Sequence, residues 1–164
     1  NAGIFNHTQG WGIIAEALLG NGNRAYEYCK ANMPAAYNDR AEIRQMEPYV
    51  QGQTTYSRFS PREGNTRLSW LTGAASWSYY ALTQYILGIR PEYEGLRIDP
   101  CLPEDWKGFS AQRRFRGKIV NIEVKNESGS QKGVKSLSLN GELLKDNLIP
   151  AELLKEENSV VVVM

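Results

Sequence analysis

Asn6-His7-Thr8-Gln9-Gly10-Trp11 holds the only histidine of the chain, at the point where a helical hydrophobic period begins. An imidazole, a hydroxyl and two amides gathered at a helix start suit an anion or a sugar better than a packed core. Trp70-Leu71-Thr72-Gly73 opens a later helix. There Thr72-Gly73-Ala74 offers a hydroxyl and free backbone N–H groups with no bulky side chain in the way. Backbone donors at a helix start can hold a phosphate or another oxyanion, and the two stretches together point to an oxyanion site. Each also has a plainer reading: a lone histidine is more often a structural residue, and a threonine before a helix is more often an ordinary cap.

Other candidate chemistries are weaker. Glu47, Tyr49, Gln51, Gln53, Thr54, Thr55, Tyr56 and Arg58 are the amides, hydroxyls and aromatics that contact sugars, although solvated loop polarity explains most of them. Asp39, Glu42 and Glu47 have simple capping or ion-pair roles, and nothing pairs them at the separation glycoside chemistry needs. Arg113-Arg114-Phe115-Arg116 reads as a strand with a solvated face. Nineteen Lys and Arg against eighteen Asp and Glu give a net charge of +1, which leaves no electrostatic footprint for nucleic acid or an anionic membrane. Cys29 and Cys101 lack metal-ligand spacing and a neighbouring histidine, so no metal is expected. Both are read as buried thiols in a reducing compartment, with a disulfide as the lesser alternative. The absence of a long apolar run and of a signal pattern makes the cytoplasm the expected location.

Two hydrophobic periods divide the chain. Trp11, Ile14, Ala15 and Leu18, and then Ala25, Tyr28, Cys29 and Met33, follow helical spacing and predict two core-facing helices. Gly20-Asn21-Gly22-Asn23 between them provides a helix stop and a side-chain N-cap, as in an antiparallel αα-hairpin. Residues 34–61 read as a long structured loop with at most a short helix, where Asp39 and Glu42 stand at capping-box spacing. Trp70, Ala74, Trp77, Ala81 and Tyr85 trace a third helical face that ends at Gly88. Beyond Pro91, Val120, Ile122 and Val124, then Leu137 and Leu139 before Asn140-Gly141, and then Ser159 to Met164, predict antiparallel strands. The fold class expected is α+β. Helices fill most of residues 7–88, strands fill most of 96–164, and the first half carries apolar surface that needs covering.

Taken in order, the segments Gly3-Ile4-Phe5-Asn6-His7-Thr8-Gln9-Gly10-Trp11, Pro34-Ala35-Ala36-Tyr37-Asn38-Asp39-Arg40, Glu47-Pro48-Tyr49-Val50, Trp70-Leu71-Thr72-Gly73, Gln84-Tyr85-Ile86-Leu87-Gly88-Ile89-Arg90-Pro91 and Gly95-Leu96-Arg97-Ile98-Asp99-Pro100-Cys101-Leu102-Pro103 cover nearly the whole chain. In that order they resemble the C-terminal part of the cellobiose phosphorylases of glycoside hydrolase family 94. The resemblance implies an inverting disaccharide phosphorylase, in which inorganic phosphate attacks the anomeric carbon and releases α-glucose 1-phosphate and glucose. It also implies the last helices of an (α/α)6 barrel over residues 1–90, followed by a small antiparallel β-sandwich over residues 91–164.

By the same resemblance His7, Thr72 and Gly73 bind phosphate and Gln53 contacts the sugar. The general acid, an aspartate, and a phosphate-binding arginine lie upstream of Asn1. The chain is then a fragment, expected to be inactive alone. Gln51, Gly52 and Tyr56 depart from the family pattern, while His7-Thr8-Gln9 favours the cellobiose branch over the chitobiose one. The expected partners are disaccharide and phosphate, with no cofactor, no nucleic acid and no membrane, and with a homodimer left open. The alternatives are a non-catalytic sugar-binding or structural fragment, and a related phosphorylase or glucan synthase acting on another glycan.

Overall fold

A computed structural model of the chain describes residues 3–164. The first half opens with strand β1 (Gly3–Phe5), a single 3-10 turn (Asn6–Thr8) and helix α1 (Gln9–Leu18). Gly20 then takes a positive φ of 84°, which spares the turn the Cβ clash that an L side chain meets there, and helix α2 (Gly22–Asn32) runs back. The predicted side-chain N-cap is absent. Asn21 turns its amide to Glu16 (2.8 Å), and Asn23 instead binds the second half, accepting from the Glu104 N–H (3.0 Å) and donating its own N–H to Gln131 (2.9 Å).

Residues 34–69 contain more than a loop. A 3-10 stretch (Pro34–Arg40) leads into the short helix α3 (Ala41–Arg44), with no side-chain cap from Asp39, and strands β2 (Gly52–Tyr56) and β3 (Thr66–Ser69) follow. Strands β1, β2 and β3 form an antiparallel sheet that the helical reading of this half did not anticipate. Helix α4 (Ala74–Ala81) runs on into a wider π turn over Leu82–Ile86 and stops at Gly88, whose φ is +67°. Trp70 is not on its face: it precedes the helix with a φ of +66° and stands 67% exposed.

The phase of α1 also differs from the expectation. Gly10, Ile13 and Ala17 are its buried face, whereas Trp11 and Leu18 are 51% and 61% exposed. The period was read correctly, but small residues decide which stripe packs. A β-carbon at Gly10 would lie 2.9 Å from the Cβ of Trp77, so glycine is what lets α1 and α4 approach.

The second half builds two sheets. One joins β4 (Ile89–Pro91), β5 (Gly95–Ile98) and β10 (Leu148–Pro150), with β5 in the middle. The other comprises β6 (Gly108–Phe115), β7 (Lys118–Lys125), β8 (Ser136–Leu139), β9 (Glu142–Leu143) and β11 (Glu157–Val163) in the order β6-β7-β11-β8-β9. Asn140 and Gly141 take φ of +53° and +90° in the β8–β9 turn, as a two-residue hairpin demands. The pairing is not wholly antiparallel, because β11 enters between β7 and β8 and runs parallel to β7. Val120, Ile122, Val124, Leu137, Val160 and Val162 pack on Ile89, Leu96, Ile98 and Ile149, and the same core takes in Ile13, Ala25, Cys29 and Ile86 from the helices. Cys29 and Cys101 are free and buried, and burial pushes both thiols up in pKa.

Candidate oxyanion site at the starts of two helices

The close approach of α1 and α4 brings their N-terminal ends together, and His7 and Gly73 meet there. A β-carbon built on Gly73 would stand 2.5 Å from Cε1, 2.9 Å from Nε2 and 3.1 Å from Nδ1 of His7, so the imidazole rests on the Gly73 backbone. Any larger residue at 73 displaces the ring. Phe5 stacks on His7 at 5.7 Å and 14°, and Trp11 and Trp77 each lie 6.3 Å away. Among the described residues no hydrogen bond engages either ring nitrogen, which leaves the imidazole able to donate to a ligand.

Thr72 stands one residue before the cap, and its Oγ1 accepts the Ala74 N–H at 3.1 Å in a local turn. That bond uses an oxygen lone pair and leaves the hydroxyl proton available to an anion. Gly73 is the N-cap of α4, and its carbonyl receives the Trp77 N–H at 3.1 Å. The early N–H groups of the helix and its positive dipole end therefore sit beside the imidazole. Thr8 and Gln9 are committed elsewhere, since both donate to the Phe5 carbonyl, at 3.0 and 3.2 Å, and tighten the turn that presents His7.

Gln53 lies on β2, half-buried, with no hydrogen bond to its side chain among the described residues. The loop residues part company. Tyr37, Gln51, Tyr56 and Arg58 line a cleft of about 590 Å³ between α2 and the β1–β3 sheet, which includes neither His7 nor Gly73. Glu47 and Tyr49 turn to Trp70, Glu47 accepting the indole N–H at 3.2 Å and Tyr49 meeting the ring edge to face at 6.4 Å. Arg44 is buried under them and donates to the Glu47 carbonyl at 2.8 Å and to the Val50 carbonyl. Burial lowers its pKa from the ordinary arginine value, and the Glu47 carboxylate opposes that shift. Of the loop carboxylates, Glu47 is engaged by Trp70 and Asp39 lies 4.0 Å from Arg40. Among the described residues no group of three His, Cys, Asp or Glu could hold a metal, and no helix is long and apolar enough to cross a membrane.

Asn6, which the sequence groups with the polar cluster around His7, spends its amide within the fold. It is 7% exposed and donates from one amide to both the Gly52 carbonyl and Thr55 Oγ1, each at 3.0 Å. Its adjacency to His7 was the only signal, because partners 46 and 49 residues away leave no local pattern.

Comparison with known proteins shows the family to which the chain belongs. Residues 1–88 match the catalytic domain of the glycosyl hydrolase 94 superfamily, and residues 89–130 match the C-terminal domain of glycosyl hydrolase family 65. The chain is 41% identical over its whole length to N,N'-diacetylchitobiose phosphorylase of Vibrio proteolyticus and 40% identical to that of Vibrio furnissii. It is 32% identical over 92% of its length to solabiose phosphorylase of Paenibacillus borealis. In each case it spans about 20% of the relative's length. With more than half of its residues matched to that catalytic domain, the chain belongs to the glycosyl hydrolase 94 superfamily.

Proposed function

We propose that this chain is the C-terminal part of an inverting disaccharide phosphorylase and carries one side of its phosphate subsite. The observation that carries the reading is the His7 imidazole resting on the Gly73 backbone where α4 begins. Phosphate arrives with its charge already formed, so the protein needs donors that hold it in line with the anomeric carbon rather than a base that activates water. The His7 ring N–H, the Thr72 hydroxyl and the N–H groups of the first turn of α4 beyond Ala74, whose own N–H is taken by Thr72, are such donors, and Gln53 contacts the sugar. The proton for the departing sugar comes from an aspartate outside this chain, inorganic phosphate is a substrate, and no cofactor takes part. On this reading residues 1–90 end an (α/α)6 barrel and residues 91–164 are a β-sandwich.

The sugar is the point on which sequence motif and relatives differ. His7-Thr8-Gln9 favours cellobiose, whereas the two Vibrio relatives are diacetylchitobiose phosphorylases. Identity over the full chain outweighs three residues, so the N-acetylated disaccharide is the first substrate to test and cellobiose the second. The full-length protein, incubated with each disaccharide and phosphate, is expected to release an α-sugar 1-phosphate. The isolated chain is expected to release none, because the leaving alkoxide lacks its general acid. Sugar phosphate formed by the isolated chain, or hydrolysis without phosphate by the full-length protein, would overturn the reading.

A further inference from the structure

The three parts of the proposed subsite hang from three neighbouring strands. β1 runs directly into the turn bearing His7, β2 bears Gln53, and β3 ends three residues before Thr72. A line of side-chain hydrogen bonds crosses these strands. Asn6 Nδ2 donates to the Gly52 carbonyl and to Thr55 Oγ1 at 3.0 Å each, and Thr55 Oγ1 shares a further 3.0 Å bond with Thr66 Oγ1 on β3. Asn6 and Thr66 are 7% and 5% exposed and the Asn6–Gly52 bond is buried, while the two bonds to Thr55 are part-buried on the wall of the cleft. The Gly52 carbonyl belongs to the peptide that leads into Gln53. Asn6 therefore joins the residue before His7 to the residue before Gln53.

We propose that Asn6 is a positioning residue that sets the phosphate donors of His7 and Gly73 and the sugar contact of Gln53 relative to one another. The inference rests on the phosphorylase reading above. Losing the amide frees the His7 turn from β2 and removes the buried side-chain bond to the Gly52 carbonyl, so both subsites loosen together. A purely structural asparagine would act differently: its loss would lower the amount of folded enzyme, and with it the apparent kcat, while leaving both KM values alone.

The test uses the full-length enzyme and measures KM for phosphate and for disaccharide separately. His7→Ala is expected to raise the phosphate KM and Gln53→Ala the disaccharide KM. Asn6→Ala is expected to raise both, by about tenfold for phosphate, in line with the loss of a buried amide's partners. Thr55→Val, close to isosteric and removing only one of the two acceptors, gives a smaller rise in both and keeps the test available should Asn6→Ala fold poorly. Unchanged KM values in the Asn6 and Thr55 variants, with the phosphate KM raised in His7→Ala, overturn the positioning role alone. An unchanged phosphate KM in His7→Ala overturns the subsite and this inference with it.

Discussion

The two halves of the chain handle their apolar residues differently. In the second half the inward-facing aliphatic residues of the strands are fully covered: Leu96, Ile98, Val120 and Val162 are all 0% exposed. In the first half Leu18, Leu19, Phe59, Trp70 and Leu71 stand between 61% and 76% exposed. Isolated exposed apolar residues are ordinary; only where they share one face do they mark surface for a neighbour, and that is what variants on the two halves can distinguish. One core is shared: the sheets supply most of its aliphatic side chains and the helical half adds Ile13, Cys29 and Ile86, while Trp11 and Leu18 of α1 stand outward. The candidate oxyanion site belongs to the half that is not closed by its own residues.

The largest expected effect tests that contrast. Leu96→Ala, in the middle strand of its sheet, is expected to cost about 2–5 kcal/mol of stability in denaturant unfolding. Trp11→Ala, half exposed, is expected to cost the isolated chain under about 1 kcal/mol, against several times that if the same face is buried in the full-length protein. Equal costs for Trp11→Ala in both settings would show that the exposed stripe is ordinary surface.

A smaller effect concerns the charges at the join between the halves. Arg97 donates to Glu92 at 2.6 Å and Arg90 lies 3.4 Å from the same carboxylate oxygen. Arg97, through its hydrogen bond, is the main cause holding the Glu92 carboxyl below the usual carboxylate range, with Arg90 assisting. A carboxylate with a depressed folded pKa stabilises fully above its unfolded value of about 4.3 and loses that contribution as pH falls through the folded value. Glu92→Gln is therefore expected to flatten the acid limb of a stability–pH curve and, at neutral pH, to cost about 1 kcal/mol or less, as partly exposed ion pairs do. An unchanged acid limb would assign the loss to other carboxylates.

What could be read from the sequence follows the range of the interactions. The alternation of Val120, Ile122 and Val124 and the Asn140-Gly141 turn are local patterns, and the structure follows them. The parallel seat of β11 is not local: nothing within Glu157–Val163 says which neighbours it will have. Strands β1, β2 and β3 are only 3 to 5 residues long, with partners many residues away, so no period announces them. The phase of α1 was misread because large apolar residues were weighted over Gly10, the residue that permits contact with Trp77. His7 and Thr72-Gly73 stand out as local residue types at two helix starts, and the resemblance adds only the phosphate role; their meeting depends on two helices packing closely enough for an imidazole to rest on bare backbone.

The central claim is tested most directly by kcat/KM for phosphate in the full-length protein bearing His7→Ala, Gly73→Ala or both. The added methyl at 73 meets the movable end of His7 rather than backbone, so the fold should survive while the ring is displaced. Each single variant is expected to lose roughly ten- to a hundredfold, the scale of one charge-assisted hydrogen bond. The double variant should be no worse than the weaker single, because both changes remove the same donor. Phosphate use left intact by His7→Ala, or losses that multiply in the double variant, would contradict the account.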